Sequence, residues 1–146
     1  MLFRTDGTPF SVGRSRFVDR PGGHQEQTGK IYVKIEPEAF GDIILAQLDT
    51  GSPWLILHAE IAAAMSLLDG EGPLVPLRTI TGLFQGRLER TLVTILADEG
   101  ESIQIEATAF VSPGWTAGTF LGYTGFLERL RFTVDPSDNS FYFGPI

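Results

Sequence analysis

One carboxylate in the sequence stands where two apolar segments meet a tight turn. Residues 45–48 form a largely apolar run that leads into Asp49-Thr50-Gly51-Ser52, and a second apolar run, residues 54–57, follows almost at once. A strand that ends on such a turn holds its carboxylate at the end of a rigid element, close to backbone N–H groups and two hydroxyls. This placement suits general acid–base chemistry, for which a carboxyl group must be fixed in position.

The same four residues also have a plainer interpretation. Asp, Gly and Ser are all common in β-turns, so an ordinary turn between two strands is the alternative to a reactive site. Two other chemistries are not supported by the sequence around the candidate residues. No Gly-x-Ser-x-Gly elbow surrounds Ser52 or Ser112, as a serine hydrolase would require, and the spacing of residues 98–101 does not fit a calcium loop.

The bulk composition predicts a single domain rich in turns. The chain has 146 residues, of which 42% are apolar, with 17 Gly and nine Pro. This length allows one domain with a real core, and the Gly and Pro content favours short strands over long helices. The formal charge is −7, and the two basic clusters, residues 14–16 and 129–131, are too short to form a stripe for phosphates. No nucleic-acid partner is expected.

The absence of cysteine narrows the chemistry further. Disulfides, thiolate zinc sites and cysteine nucleophiles are excluded, and the two histidines, His24 and His58, stand alone. We therefore expect neither a metal nor another cofactor. The first residues lack the apolar core of a signal peptide, and no apolar run approaches the roughly 20 residues that cross a bilayer. The expectation is a soluble, cytoplasmic protein that does not bind membranes.

Periodicity predicts a mainly β domain over residues 29–146, with one or two short helices. Apolar residues alternate or run together in segments of strand length, and an alanine-rich segment without Gly or Pro favours a helix. The predicted strands cover residues 31–35, 43–48, 54–57, 74–80, 88–96, 103–109, 119–122, 132–134 and 141–143, and the predicted helices cover 58–65 and 126–130.

Residues 1–28 are assigned to an N-terminal extension or arm. Its second half, residues 19–27, contains Pro, two Gly and several polar residues, which is typical of a loop or linker. The first half carries a few apolar residues and is open to two interpretations, an edge strand or an arm that packs on a partner subunit.

Three segments, in order along the chain, resemble the single-domain, bacterial-type branch of the retropepsin-like aspartic proteases. The first is residues 43–52, which end on Asp-Thr-Gly-Ser, and the second is the Gly-bounded hairpin of residues 81–86, where that family has its flap. The third is Phe120-Leu121-Gly122, which matches the family's psi-loop strand and precedes its C-terminal helix. The resemblance covers about residues 29–144, including an aromatic-rich hairpin at 131–144, and implies a closed β-barrel.

This resemblance implies an aspartic endopeptidase that uses water as its nucleophile. Two carboxylates must share one proton, so that one accepts a proton from water while the other donates to the peptide carbonyl. Asp49 is the one such residue, because the chain has no second Asp-Thr-Gly or Asp-Ser-Gly. The other carboxylate is therefore expected from a second copy in a two-fold homodimer. Thr50 would bond across the axis, Gly51 would admit close backbone approach, and Ser52 would orient the outer carboxylate oxygen. Cleavage is expected to favour mildly acidic pH.

The predicted flap tip carries the residues that would close over a peptide or protein substrate. Leu83 and Phe84 would exclude water there. Gly82, Gln85 and Gly86 are the other residues of the predicted flap tip. A plain surface hairpin is the alternative. The segment lacks the double-glycine tip of viral members. Residues 123–125 are Tyr-Thr-Gly, whereas viral members place there an Arg that helps to hold the dimer. The mode of dimerisation therefore stays open.

Two other functions remain alternatives at this point. A peptide-binding or assembly module with the same fold could bind extended peptides by strand addition and hydrolyse them poorly or not at all. The atypical flap and the missing Arg favour this module, whereas the joint presence of Asp, Thr, Gly and Ser favours the enzyme. An unrelated small β-barrel with a ligand pocket is the third interpretation.

Overall fold

The structure is a computed structural model that describes residues 1–19 and 29–146. The described part is mainly β, with one short α-helix and one turn of 3-10 helix, as the sequence predicts. In chain order the elements are β1 (Gly13–Arg16), β2 (Tyr32–Pro37), β3 (Ile44–Leu48), β4 (Leu55–Ile56), α1 (Ala59–Ala64), β5 (Leu74–Thr79), β6 (Gly82–Ile95), β7 (Glu99–Gly100), β8 (Ile103–Val111), β9 (Phe120–Leu121), the 3-10 helix (Leu127–Arg129), β10 (Leu130–Asp135) and β11 (Ser140–Pro145).

Six of these strands close into a barrel. Their order is β2-β3-β9-β4-β8-β6, and a further pairing of β2 with β6 completes the ring, while β5 is added outside β6. β6 can take part in both because it is 14 residues long. Its first half pairs with β5, and from Arg87 onward it pairs with β8. The predicted closed β-barrel is confirmed.

The barrel interior is filled by the apolar positions that alternate along the strands. Val33 and Ile35 of β2, together with Val93 and Ile95 of β6, are fully buried, as the period of two along a strand requires. A second, smaller apolar cluster lies under β5 and β6 and contains Ile56, Leu77, Phe110 and Trp115. The smaller cluster supports the end of the barrel where the candidate site lies.

A separate four-stranded sheet, which we call the terminal sheet, joins the two ends of the chain in the order β10-β11-β1-β7. The predicted aromatic hairpin forms β10 and β11, and its Phe141 and Phe143 are fully buried. β1 pairs with β11 of the same chain, and Phe17 directly after it belongs to the main core. The first half of the predicted extension thus contacts the chain's own C-terminal hairpin. Residues 20–28 lie outside the described residues, and the domain boundary at 28 stays a prediction.

Both predicted helices form, and each is short. Helix α1 lies within the predicted 58–65, and His58 caps it by accepting the Glu60 N–H at Nδ1 over 3.1 Å. The 3-10 helix lies within the predicted 126–130, and the Glu128 carboxylate accepts the Gly125 N–H over 2.8 Å. Among the described residues, no helix is long and apolar enough to cross a membrane.

The turn of the β5–β6 hairpin is where the sequence prediction was wrong. Residues 81–86 were expected to form a Gly-bounded turn, but β5 runs to Thr79, β6 begins at Gly82, and the turn is Ile80-Thr81. Thr79 closes this turn, because its Oγ1 accepts the Thr81 N–H over 3.2 Å and donates to the Gly82 carbonyl over 3.1 Å. Gly86 lies within β6, where a larger residue would not fit, because a Cβ there would lie 2.5 Å from the Phe110 ring.

Candidate active site

The Asp49 loop is positioned by three strands. β9 lies between β3, which enters the loop, and β4, which leaves it, and Leu121 is paired with Leu48 on one side and Leu55 on the other. The Asp49 N–H continues this ladder by donating to the Leu121 carbonyl over 3.0 Å. The apolar Phe120–Leu121 strand therefore crosses between the two ends of the loop, as the psi-loop match implies, and fixes where Asp49 is held.

Gly122 fits against the loop in a way that no other residue can. A Cβ on this buried residue would lie 2.2 Å from the Trp54 carbonyl oxygen and 2.5 Å from that of Pro53. Its N–H donates to the Trp54 carbonyl over 2.8 Å, and the Trp54 N–H donates to the Thr124 carbonyl over 2.7 Å. Trp54 itself has a φ of 60°, a left-handed backbone that is unusual for a bulky residue. The far side of the loop is thus held by close backbone contacts.

The Asp49 carboxylate is fixed by hydrogen bonds to its own turn. Oδ1 accepts the Gly51 N–H over 3.0 Å, and Oδ2 accepts the Ser52 hydroxyl over 2.9 Å. Asp49 is half-buried, whereas Thr50 and Gly51 beside it are exposed. Tyr123, which donates its N–H to the Ser52 carbonyl over 2.7 Å, is 51% exposed. One chain therefore orients both carboxylate oxygens but leaves the surface next to Asp49 open.

Asp49 forms part of the lining of a cleft of about 430 Å³. The β5–β6 hairpin supplies one wall through residues 77–81, and the opposite side is largely apolar. The lining residues are Asp49, Gly51, Ser52, Pro53, Ile56, Leu77, Arg78, Thr79, Ile80, Thr81, Trp115 and Phe120. Asp49 is the one acidic residue in this lining, so the described part of the chain places no second carboxylate beside it.

An aromatic cluster supports the cleft and ties the hairpin to the barrel. The Trp115 ring is 4.9 Å from Phe84 on β6 and 5.9 Å from Phe120 on β9, both edge to face. Its Nε1–H donates to the Gly118 carbonyl over 2.7 Å, which fixes the indole in the loop before β9. The sequence predicts a loop at Trp115 but does not predict its part in the cleft. A tryptophan in a Gly- and Pro-rich loop just before the psi-loop strand is the signal that could have identified it.

The predicted site residues fall into three groups. Asp49, Gly51, Ser52 and Phe120 line the cleft, and Thr50 lies on the exposed surface next to it. Leu121 and Gly122 are buried behind the loop. The predicted flap residues, 82–86, all lie on β6 and do not belong to the lining. Leu83, which is 54% exposed, and Phe84, which contacts Trp115, lie on β6 and not in the turn at the hairpin tip. Ile80 occupies that turn and is fully exposed.

No candidate metal site accompanies the cleft. Within residues 1–19 and 29–146, no group of three or more His, Cys, Asp or Glu side chains is arranged to hold a metal ion. His58 serves as a helix cap, as described above, and His24 lies outside the described residues.

Comparison with solved structures identifies the architecture. The chain is similar to a crystal structure of a retropepsin-like aspartic protease from Rickettsia conorii, with a TM-score of 0.59 and 19% sequence identity. The match covers 91% of this chain and 99% of that one. No family model matches the sequence, and no curated protein is similar enough to be recognised from sequence. The chain thus has the retropepsin-like aspartic protease fold, as the sequence motifs predict.

Proposed function

We propose that this chain is an aspartic endopeptidase that is active as a homodimer, with one Asp49 from each subunit. The observation that carries the proposal is the Asp49 carboxylate itself. It lies in a peptide-sized cleft with both oxygens bonded to its own turn and with no second acid in the cleft lining. A two-fold axis beside this loop would supply the missing carboxylate from an identical loop.

The proposed reaction needs one proton shared between the two carboxyl groups. The ionised carboxylate takes a proton from water as the water oxygen bonds to the peptide carbonyl carbon, while the neutral carboxyl group donates its proton to the carbonyl oxygen. In the second step the carboxyl group that took the water proton passes it to the peptide nitrogen, while the other carboxylate takes a proton back from one hydroxyl of the diol intermediate. The C–N bond breaks, a carboxylic acid and an amine leave, and the pair again shares one proton. Two carboxyl groups a few ångströms apart do not both ionise readily, which keeps one of them protonated.

The residues around Asp49 have distinct proposed roles. Ser52 and the Gly51 N–H orient the carboxylate through the bonds described above, so that its free lone pairs face the water. Thr50, exposed on the loop surface, would bond across the two-fold axis and lock the loops together. The hairpin tip at Ile80-Thr81 would close over the substrate and reduce its contact with water.

A peptide or protein substrate fits the shape and the edges of the cleft. β5 is the outer strand of its sheet, so its outer edge can bond an extended peptide backbone except at Pro76, which has no N–H to donate. The apolar lining, including Leu77, Trp115 and Phe120, suits apolar side chains on either side of the cleaved bond.

A peptide-binding module is the second candidate function. One observation favours it, since neither the β5 edge nor the apolar lining depends on Asp49. Such a module would bind the same extended peptides and release them intact.

The test is a cleavage assay with a peptide library, run from acidic to neutral pH. We expect Asp49→Asn to lower the rate by about 10³-fold or more, because general acid–base catalysis is removed, with no change in the fold. Asp42→Asn, in an exposed turn, is the matched control and should cleave like the wild type. Cleavage by Asp49→Asn at the wild-type rate would overturn the mechanism. Wild-type binding without cleavage at any pH would establish the second candidate.

A further inference from the structure

Arg78 is the one basic residue in the lining of the cleft. It lies on β5 and is exposed. Across residues 1–19 and 29–146 its guanidinium is in none of the four ion pairs, and Asp49, the one acid of the lining, is bonded within its own turn. The charge of Arg78 is therefore available to a charge on a bound substrate.

The hydrogen bonds of the hairpin show which backbone groups of β5 face outward. The Leu88 N–H donates to the Pro73 carbonyl over 3.0 Å, and these two residues lie opposite one another in the β5–β6 register. Odd-numbered residues of β5 therefore bond β6, and even-numbered residues direct their groups to the outer edge, because backbone groups alternate along a strand. Of the even-numbered residues, Pro76 has no N–H. Arg78 is thus the residue nearest the hairpin tip that offers both an N–H and a C=O to an added strand.

The face of the hairpin on which Arg78 lies follows from the same register. Leu77 pairs with Phe84, and both belong to the apolar cluster that supports the cleft. Arg78 pairs with Leu83 and lies on the opposite face, because successive side chains alternate along a strand. In a peptide bound along the outer edge, the residue that bonds Arg78 projects its side chain on this same face, with its Cβ about 5 Å away. The residues before and after it project to the apolar face.

We propose that the cleft selects peptides that carry Asp or Glu at the position paired with Arg78, with apolar residues on either side. An acidic side chain at this position is within reach of the guanidinium, and opposite charges paired across strands attract. The chain's net charge of −7 repels an acidic peptide at long range, but salt screens charges beyond about 10 Å. The near contact with Arg78 therefore decides the preference.

This inference rests on the proposed function, because it assigns a residue preference to the same cleft. It uses the β5 edge and the Arg78 charge, and neither depends on the Asp49 carboxylate. The preference can therefore be measured by peptide binding, without cleavage.

The binding test uses the Asp49→Asn chain and random octapeptides that are acetylated and amidated at their ends, so that side chains carry the only charges. Peptides retained with the protein on ultrafiltration are sequenced by mass spectrometry. We expect Asp and Glu to be enriched about two- to fivefold over Asn and Gln, the range for an exposed ion pair between strands. The enrichment should shrink as salt is added. A retained pool without acidic enrichment, or no retained peptide, would overturn the proposal.

Charge reversal in the same background identifies the residue responsible. Arg78→Glu should remove the acidic enrichment and favour Lys and Arg instead, whereas Arg78→Met should remove it without favouring either charge. Arg4→Glu has the same change in charge, lies on the exposed N-terminal turn outside the cleft lining, and should keep the acidic preference. Equal acidic enrichment in Arg78→Glu and Arg4→Glu would contradict the assignment.

Cleavage by the wild-type chain locates the preferred position. In the proposed homodimer each subunit contributes one Arg78, so acidic residues should be preferred at a fixed position on each side of the cleaved bond. Apolar residues should be preferred next to them, because those side chains face the other way. Acidic residues spread evenly over all positions of the cleaved peptides would overturn the pairing with Arg78.

The two proposals can fail separately. A chain that retains acidic peptides through Arg78 but never cleaves them would contradict the proposed function alone. A chain that cleaves peptides with the same residue preferences before and after Arg78→Glu would contradict the role of Arg78 alone.

Discussion

The loop around Asp49 and the terminal sheet differ in how much of their bonding one chain completes. The terminal sheet joins the N- and C-terminal segments within one chain, and Arg14 alone contacts Glu99, Asp138 and Ser140 across three of its segments. The Asp49 loop is bonded just as fully on its inner side, yet its outer residues Thr50 and Gly51 are exposed. The bonds that position Asp49 thus lie within one protomer, whereas its proposed reaction requires a second copy.

This difference predicts two separate classes of substitution. Changes behind the loop or inside the terminal sheet should alter the free energy of unfolding of the protomer. Changes on the exposed side of the loop should alter activity with little effect on that free energy.

The largest effect on stability is expected at Gly122. In Gly122→Ala the new Cβ would overlap the backbone of Pro53 and Trp54, so the loop or β9 must move. We expect the free energy of unfolding to fall by about 3 kcal/mol or more, and activity to be lost with it. Denaturant unfolding measures the change.

Gly51→Ala is the matched comparison for that change. Its Cβ would meet only Asp49 Oδ1, at an ordinary contact distance of 3.4 Å. The free energy of unfolding should change by less than about 1 kcal/mol, while peptide cleavage should fall, because the residue lies where the two loops are proposed to meet. Equal destabilisation by the two substitutions would remove the distinction between the inner and outer sides of the loop.

A smaller effect is expected at Arg14, which is half-buried between its partners. Its Nε donates to Ser140 over 2.7 Å, and its two terminal nitrogens each lie 3.2 Å from a carboxylate. Arg14→Met should lower the free energy of unfolding, because the bond to Ser140, two ion pairs and the packing of the side-chain stem are lost together. Arg90→Met is the control, since the Arg90–Glu106 pair is mostly exposed and should contribute little. A larger loss at Arg90 would contradict this account of the sheet.

A substitution at Ser15, in the same sheet, is expected to raise the free energy of unfolding. Its hydroxyl is fully buried and has no hydrogen-bond partner among the described residues. Ser15→Ala should therefore raise the free energy of unfolding by up to about 1 kcal/mol, because an unsatisfied polar group leaves the core. Ser140→Ala, which removes the acceptor of Arg14, should lower it. Thermal unfolding of both variants checks the pair of signs, and destabilisation by Ser15→Ala would show that its hydroxyl is bonded.

The smallest effect concerns stability in acid. The pKa of Asp98 lies below its usual range. The larger cause is a hydrogen bond from Lys34 to its carboxylate, and the smaller is one from the Arg16 N–H. A lowered folded-state pKa adds stability above the unfolded-state pKa of about 3.9, and that stability is lost as pH falls further. The difference in unfolding free energy between wild type and Asp98→Asn should therefore be constant in mild acid and shrink below about pH 4. A difference that shrinks already near neutral pH would contradict this.

Local patterns predicted much of the fold. Alternating apolar residues located most strands within a residue or two, and the run ending on Asp49-Thr50-Gly51-Ser52 located the carboxylate in the cleft. The hairpin turn was misplaced because glycine is common in turns, and Gly86 was therefore expected to end one. Glycine is needed at this position for a different reason, because the Phe110 ring on β8 leaves no room for a side chain. Trp115 and the pairing of β1 with β11 were missed for the same reason, since each depends on contacts between distant segments.

The most direct test of the account is a subunit-mixing experiment. Wild-type chain and Asp49→Asn chain are mixed in varying ratio at constant total concentration, allowed to exchange subunits, and assayed for peptide cleavage. If each active site uses one Asp49 from each subunit, activity follows the square of the wild-type fraction and falls to about a quarter at an equal mixture. A linear decrease, to about half at an equal mixture, would show that each subunit acts alone and would contradict the account.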